Sequence, residues 1–252
     1  MTLIGLIEQG DRQAVIDAIM NGADVDLETE SGWTPIKEAI GSGNADISQD
    51  LIDAGANVNR ADSDGWTALW TASGNFDPQM INLLLKNNAD VNHEDLSGES
   101  VLVYLVNKCD ERSLVGLIDQ YYEALATLLQ AGADINGCNN EGETALIKAA
   151  TRGCVDVAEW LVDAGAMIDA ADNDGWTPLM WAARHNDVSM AGMLLEHGAN
   201  IDLANLRGRT PLIIAAMYEQ NAVVEYLKSR GANTEARDAD GLTYADYLEL
   251  EN

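Results

Sequence analysis

The chain has little positive charge. Its 252 residues carry 14 Lys and Arg against 42 Asp and Glu, for a net charge of −28. Gripping nucleic acid through its phosphates needs clustered basic side chains, so that function class is excluded. Docking on an anionic membrane leaflet is excluded on the same ground. Long apolar runs are missing as well, and no stretch approaches the roughly 20 apolar residues of a membrane span. Residues 1–10 lack the basic start and apolar run of a signal peptide, which sets the expectation of a cytoplasmic protein. Cysteine is scarce: Cys109, Cys138 and Cys154 are odd in number and irregular in spacing. They suggest a reducing compartment and buried thiols rather than a disulfide frame or a zinc site.

Signatures of chemistry are also lacking. There is no G-x-S-x-G, no phosphate-cradling glycine loop and no Cys–His pattern. His93, His185 and His197 are scattered, with no i,i+4 pair at metal-ligand spacing. Asp62-Ser63-Asp64-Gly65, Asp172-Asn173-Asp174-Gly175 and Asp238-Ala239-Asp240-Gly241 look like pieces of calcium loops. A complete loop also needs an Asp two residues earlier and a Glu six residues after the Gly. Those positions hold Arg60, Ala170 and Ala236, then Thr71, Trp181 and Tyr247. Acid pairs are too common here to mark a hydrolytic site. The expectation is no catalytic residue, no metal and no cofactor.

What the chain does have is an apolar content of 47%, enough for a buried core, and an internal repeat. A Gly opens G-W-T-P-I at Gly32, G-W-T-A-L at Gly65, G-E-S-V-L at Gly98 and G-E-T-A-L at Gly142. It returns in G-W-T-P-L at Gly175, G-R-T-P-L at Gly208 and G-L-T-Y-A at Gly241, with steps of 33, 33, 44, 33, 33 and 33 residues. Ten residues before each stands another turn residue: Gly22, Gly55, Asn88, Gly132, Gly165, Gly198 and Gly231. Apolar pairs such as Leu51-Ile52, Leu84-Leu85 and Leu161-Val162 precede it, as at the end of a helix stopped by a left-handed residue. Thr34, Thr67, Thr144, Thr177 and Thr210 stand where a hydroxyl can cap a new helix, and Pro35, Pro178 and Pro211 fill its first position. Ala149-Ala150, Ala182-Ala183 and Ala215-Ala216 let that helix pack closely.

This unit resembles the ankyrin repeat over nearly the whole chain. The resemblance implies an all-α repeat solenoid: stacked helix-turn-helix units with projecting β-turn fingers. A single domain is expected over 1–252, with a capping unit at 1–29, six full repeats over 30–238 and a capping half-repeat at 239–252. Glu8, Asp11, Arg12 and Asp17 at one end, and Asp246, Glu249 and Glu251 at the other, suit the polar outer faces such stacks need. The family's His after T-P-L is replaced by Lys37, Trp70, Val103, Ile147, Met180, Ile213 and Asp246. Its hydrogen-bond network between repeats is therefore expected to be absent, with packing in its place. The 44-residue step puts an 11-residue insertion near 110–120, which lengthens the fourth unit. Leu114, Leu117, Ile118, Tyr121, Leu125, Leu128 and Leu129 recur at helical spacing, so a second helix extended at its N-terminal end is expected, by roughly 16 Å if every added residue is helical. It is either covered by its neighbours or a knob with Tyr121 and Tyr122 exposed.

Registers that repeat carry scaffold, and registers that vary are free for binding. The residue after the motif Gly is Trp33, Trp66, Glu99, Glu143, Trp176, Arg209 or Leu242. Six residues after it stand Glu38, Thr71, Tyr104, Lys148, Trp181, Ile214 and Tyr247. A third row on the same helix face includes Lys108, His185 and Tyr218. The resemblance places these rows on the concave face. Trp is enriched in binding hot spots, and the indoles either anchor a partner or fold down as packing. Trp70 and Trp160 are read as packing. Seven eight-residue windows that end before each motif Gly hold 18 acids and three bases, a net −15 in 56 residues. That negative comb either steers a basic partner or keeps a Lys-poor protein in solution.

The expected function is non-catalytic binding of a basic protein through Trp33, Trp66, Glu99, Tyr104, Glu143, Trp176, Trp181 and Tyr218, with Asp64 and Asp174 on the fingers. A sequestering or inhibitory role is favoured on charge. An adaptor or secreted effector that binds a host protein is one alternative, and a structural protein that self-associates through the insertion is another.

Overall fold

A computed structural model describes residues 2–109 and 114–249; the expected role of Glu251 and the start of the insertion, at 110–113, lie outside the described residues. The described chain is helical, with two isolated β-bridges and no strand. No helix in it is long and apolar enough to cross a membrane. The fold separates into two compact units.

The first unit holds four helix pairs: α1 (Leu3–Glu8) with α2 (Arg12–Met20), α3 (Pro35–Gly41) with α4 (Ala45–Asp53), α5 (Ala68–Gly74) with α6 (Pro78–Lys86), and α7 (Val101–Val106) with α8 (Ile118–Gln130). The second holds α9 (Ala145–Arg152) with α10 (Val155–Asp163), α11 (Pro178–Arg184) with α12 (Val188–Glu196), α13 (Pro211–Met217) with α14 (Asn221–Ser229), and the single helix α15 (Tyr244–Glu249). The local chemistry is as the spacing predicts in most repeats. The hydroxyls of Thr34, Thr144, Thr177 and Thr210 accept from the backbone N–H three residues on. Thr67 is an exception, because its side chain makes no capping bond to α5. Asn88 takes φ = 65°, the left-handed conformation that Gly supplies in the other repeats.

Two side-chain devices build the fingers. In the first, an Asp or Asn three residues before the motif Gly folds its own turn. Asp172 Oδ1 accepts from the N–H of Asp174 at 3.0 Å and of Trp176 at 2.8 Å. Asp62, Asp95, Asn139, Asn205 and Asp238 repeat this pair of bonds. The calcium-loop look-alikes are therefore turn acceptors. In the second device, one finger bonds the next. Asp26, Asn59 and Asn92 accept from the N–H of Asn57, Asp90 and Asp134 in the first unit, at 2.8–2.9 Å. Asn136, Asp169 and Asp202 accept from Met167, Asn200 and Asn233 in the second, at 2.8–3.0 Å. The fingers approach closely enough that a Cβ on Gly65, itself at φ = 89°, would meet Asp95 Cα at 2.9 Å.

The cores lie between helix layers. The leading Leu of each helix-ending pair, Leu51, Leu84, Leu128, Leu161 and Leu194, is fully buried, as are Ala149, Ala150, Ala182, Ala183 and Ala215 of the inner helices α9, α11 and α13, each the first helix of its pair. Truncating one such Leu to Ala costs about 2–5 kcal/mol. Trp70 is buried, as expected for packing, and Trp160 is half-buried.

Three expectations are corrected here. The inter-repeat side-chain link is not wholly lost: buried Lys37, in the register of the family's His, donates its Nζ to the Trp66 carbonyl at 2.5 Å and pairs with Asp62 at 3.1 Å. Burial pulls the Lys37 pKa below the ordinary lysine value, and Asp62 works against that shift. The insertion adds only part of its length as helix. α8 has 13 residues where the other full second helices have nine, and Val115–Leu117 form a turn before it. Tyr121 is fully buried against Phe76 and Tyr122, so it is no exposed knob; Val115, Leu117 and Ile118 are the exposed apolar residues. The third correction concerns cysteine. Cys109, which clusters with the second unit, forms a disulfide with Cys154 at a Cα separation of 6.2 Å, and Cys138 is exposed rather than buried. Irregular spacing conceals the pair, because the chain folds between its members.

Two outcomes follow. Asp172→Ala removes two turn bonds and is expected to cost about 2 kcal/mol in urea unfolding, whereas Asp174→Ala, whose side chain is exposed, should stay within about 0.5 kcal/mol. Thiol titration of the denatured, unreduced protein should count one thiol, Cys138, and reduction should raise the count to three.

Candidate functional site

Each unit displays one aromatic cluster on its inner helices and finger turns. In the first unit Trp66, 36% exposed, stacks on Trp70 with centroids 5.5 Å apart and planes 16° from parallel. Tyr104, brought in by α7, tilts against both rings at 5.3 and 4.8 Å. Gly74 makes room, since a Cβ there would lie 2.9 Å from the Tyr104 hydroxyl. Burial, followed by the charge of Glu99, raises the Tyr104 pKa. Lys108 Nζ stands 5.0 Å from the Tyr104 ring centre. Asp64 is exposed on the adjacent finger. Trp33 has a different setting. It is half-buried, and its Nε1 donates to Glu38 at 2.9 Å.

In the second unit Trp176 and Trp181 meet at 4.9 Å. Arg184, one turn along α11, lays its guanidinium over Trp176, Trp181 and Tyr218 at 5.7, 5.2 and 5.0 Å. Trp176 and Tyr218 wall a groove of about 260 Å³ with Asp174, Asn205, Leu206, Arg207 and Arg209. Asp174 and Trp181 also border a second hollow of about 420 Å³, with Glu141, Glu143 and Asp172. Glu143 pairs with Lys148 and accepts from Asn139 Nδ2 at 2.8 Å. Burial would raise the Glu143 pKa, but the bonds from Lys148 and Asn139 outweigh it and hold the carboxyl below its ordinary value.

The variable rows thus converge in part. Trp66 meets Tyr104, and Trp176, Trp181, Asp174 and Tyr218 share one surface with Glu143 beside it. Of the cations over the rings, Lys108 belongs to the third variable row and Arg184 to none of the three. The signal for Arg184 lies nine residues after the motif Gly, a register that holds Gly41, Gly74, Asn107, Thr151, Arg184 and Met217. Among the described residues no three or more His, Cys, Asp or Glu side chains come together as metal ligands.

Helix pairs joined by bonded fingers define a repeat protein of the helix-turn-helix solenoid class. Family models for ankyrin repeats match residues 3–95, 117–205 and 207–239, and the chain belongs to the ankyrin-repeat family. Ankyrin repeats are in general protein–protein interaction modules, typically without catalysis. Similar solved structures include the ankyrin repeat domain of Bcl-3, described as a unique member of the IkappaB protein family. It has 25% identity and a TM-score of 0.75, and the match covers 88% of this chain and all of that one. The human ASB11 ankyrin repeat domain matches with 26% identity and a TM-score of 0.73, over 92% and 99% of the two chains. No curated protein matches the sequence.

The Glu143 pair carries a pH signature. Its lowered pKa contributes stability that is present above the ordinary glutamate value of 4.5 and is lost as pH falls through the depressed folded value. Glu143→Gln should flatten the acid limb of the stability–pH curve below pH 4.5, as read by urea unfolding at stepped pH.

Proposed function

We propose that this chain is a non-catalytic module that grips a basic protein partner and sequesters it. The hollow bordered by Trp181, Asp174, Glu141 and Glu143 carries this reading. An indole face beside carboxylates offers a partner's Lys or Arg both a cation–π surface and an ion pair. Its lining holds Glu141, Glu143, Asp172 and Asp174 with no base, and Lys148 pairs with Glu143, so the wall keeps a net negative charge. The Trp66–Tyr104 cluster beside Asp64 repeats the combination in the first unit. Many other acids accept backbone N–H bonds in turns, whereas finger carboxylates such as Asp64 and Asp174 are exposed and open to a partner. Rings already packed against one another lose little freedom on binding, which lowers the cost of association.

The test uses the full chain as bait for basic proteins in native lysate, followed by affinity measurement on the captured partner. Asp64→Asn, Asp174→Asn and Glu141→Gln combined should weaken binding about tenfold at low salt and less at high salt, with the urea midpoint unchanged. Trp181→Ala should cost a further tenfold or more. Binding that ignores both the acids and salt would remove the basic-partner reading.

A further inference from the structure

We propose that Arg184 is a receptor for a carboxylate, an Asp or Glu side chain of the protein partner; this rests on the binding reading above and refines it. A guanidinium carries five N–H donors in a planar fork that matches a carboxylate. Three aromatic rings hold the Arg184 fork at 5.0–5.7 Å. Those rings supply attraction but no hydrogen-bond acceptor in the plane of the fork. Among the described residues the guanidinium has no hydrogen bond or ion pair. Four other arginines of this acid-rich chain are satisfied, Arg12 by Asp50 and Asp46, Arg60 by Glu28, Arg209 by Asp238 and Asp240, and Arg237 by the Gly241 carbonyl, whereas Arg207 and Arg230 have no such bond among the described residues. Arg184 is held in place with its donors unspent.

The surroundings fit an incoming acid. Two of the clamping rings, Trp176 and Tyr218, wall the groove that Arg207 and Arg209 also line. Asp174 borders the same groove and would repel a phosphate dianion more strongly than a single carboxylate. The neighbouring hollow, which shares Asp174, is acidic. The second unit therefore presents a site for a base beside a site for an acid. The partner segment it fits is basic overall and carries one Asp or Glu near a Lys or Arg. An arginine that only covers its rings would have no preference for such an acid.

The experiment uses the full chain and two synthetic peptides, acetyl-Lys-Gly-Glu-Gly-Lys-amide and its Gln analogue. The readout is the arginine Nε–H resonance of Arg184, assigned by its absence in Arg184→Gln. The Glu peptide should shift that resonance to saturation and bind about tenfold or more tightly than the Gln peptide. Arg184→Lys keeps a cation over the rings but loses the fork, and it should lose most of this preference while its thermal melt stays cooperative. Equal binding of both peptides to the native chain, an unchanged preference in Arg184→Gln, or no shift with either peptide at millimolar concentration would each overturn the proposal. A captured basic partner that still depends on the finger acids, with no Glu preference in the peptides, would sink the Arg184 assignment alone. A Glu preference with indifference to those acids would sink the basic-partner reading alone.

Discussion

In six of the seven fingers an Asp or Asn oxygen four residues past the helix-ending turn residue accepts the backbone N–H of the next finger, and in six a second Asp or Asn closes the turn before the motif Gly, with Thr29 in that role in the first. Both acceptors are short side chains, so they fix the backbone within a few ångströms and tolerate little drift. Among the described residues the fingers have no helix or strand bonding of their own beyond isolated bridges, and these side-chain bonds help fix their position. Because the motif turn leads directly into an inner helix, the bonds also set where Trp66 and Trp176 stand. A binding surface assembled from successive repeats keeps its geometry only if the fingers keep their register.

The same bonds sort the acids. Asp62, Asp95, Asp172 and Asp238 serve turns, and Asp26, Asp169 and Asp202 serve the finger ladder. The formal count of acids therefore overstates the charge that faces a partner through unoccupied oxygens. Of those that remain on the fingers, Asp174 borders a groove walled by Trp176 and Tyr218, and Asp64 precedes Trp66 by two residues. A field that is strongest next to an apolar anchor steers and seats a ligand at the same place.

Most of the fold was legible because it is written seven times. The 33-residue step, the Gly and Asn88 turn positions and the Thr-Pro helix starts are local rules, and repetition averages away the exceptions. Features that occur once were not legible. The Cys109–Cys154 pair joins residues 45 apart across an irregular insertion, with no spacing rule to reveal it. Lys37 fills a register normally read as His, and only the fold shows its Nζ reaching Trp66 and Asp62. The aromatic rows were visible in sequence, but their partners were not. Trp33 and Trp66 share a register, yet Trp33 bonds Glu38 while Trp66 stacks on Trp70. The difference arises from the residues four and five positions on, where one repeat carries a Lys and a Glu and the next a Trp and a Thr.

Scarcity makes the basic residues informative. With three acids for every base, a Lys or Arg on the surface finds a carboxylate nearby with little ordering cost, and many here do. A base without a carboxylate partner among the described residues is either hydrated or held by some other agent. For Lys108 and Arg184 that agent is an aromatic ring, which attracts the cation without occupying its N–H groups. One lies in each unit, next to the rings of its cluster. Aromatic packing thus does two things at once: it provides apolar area for contact, and it keeps a positive charge exposed within a negative field. A uniformly acidic surface would attract any basic polymer. A surface with isolated, ring-held cations rejects those that cannot place an acid opposite each one, and discrimination of that kind requires such a repulsive element as well as attraction.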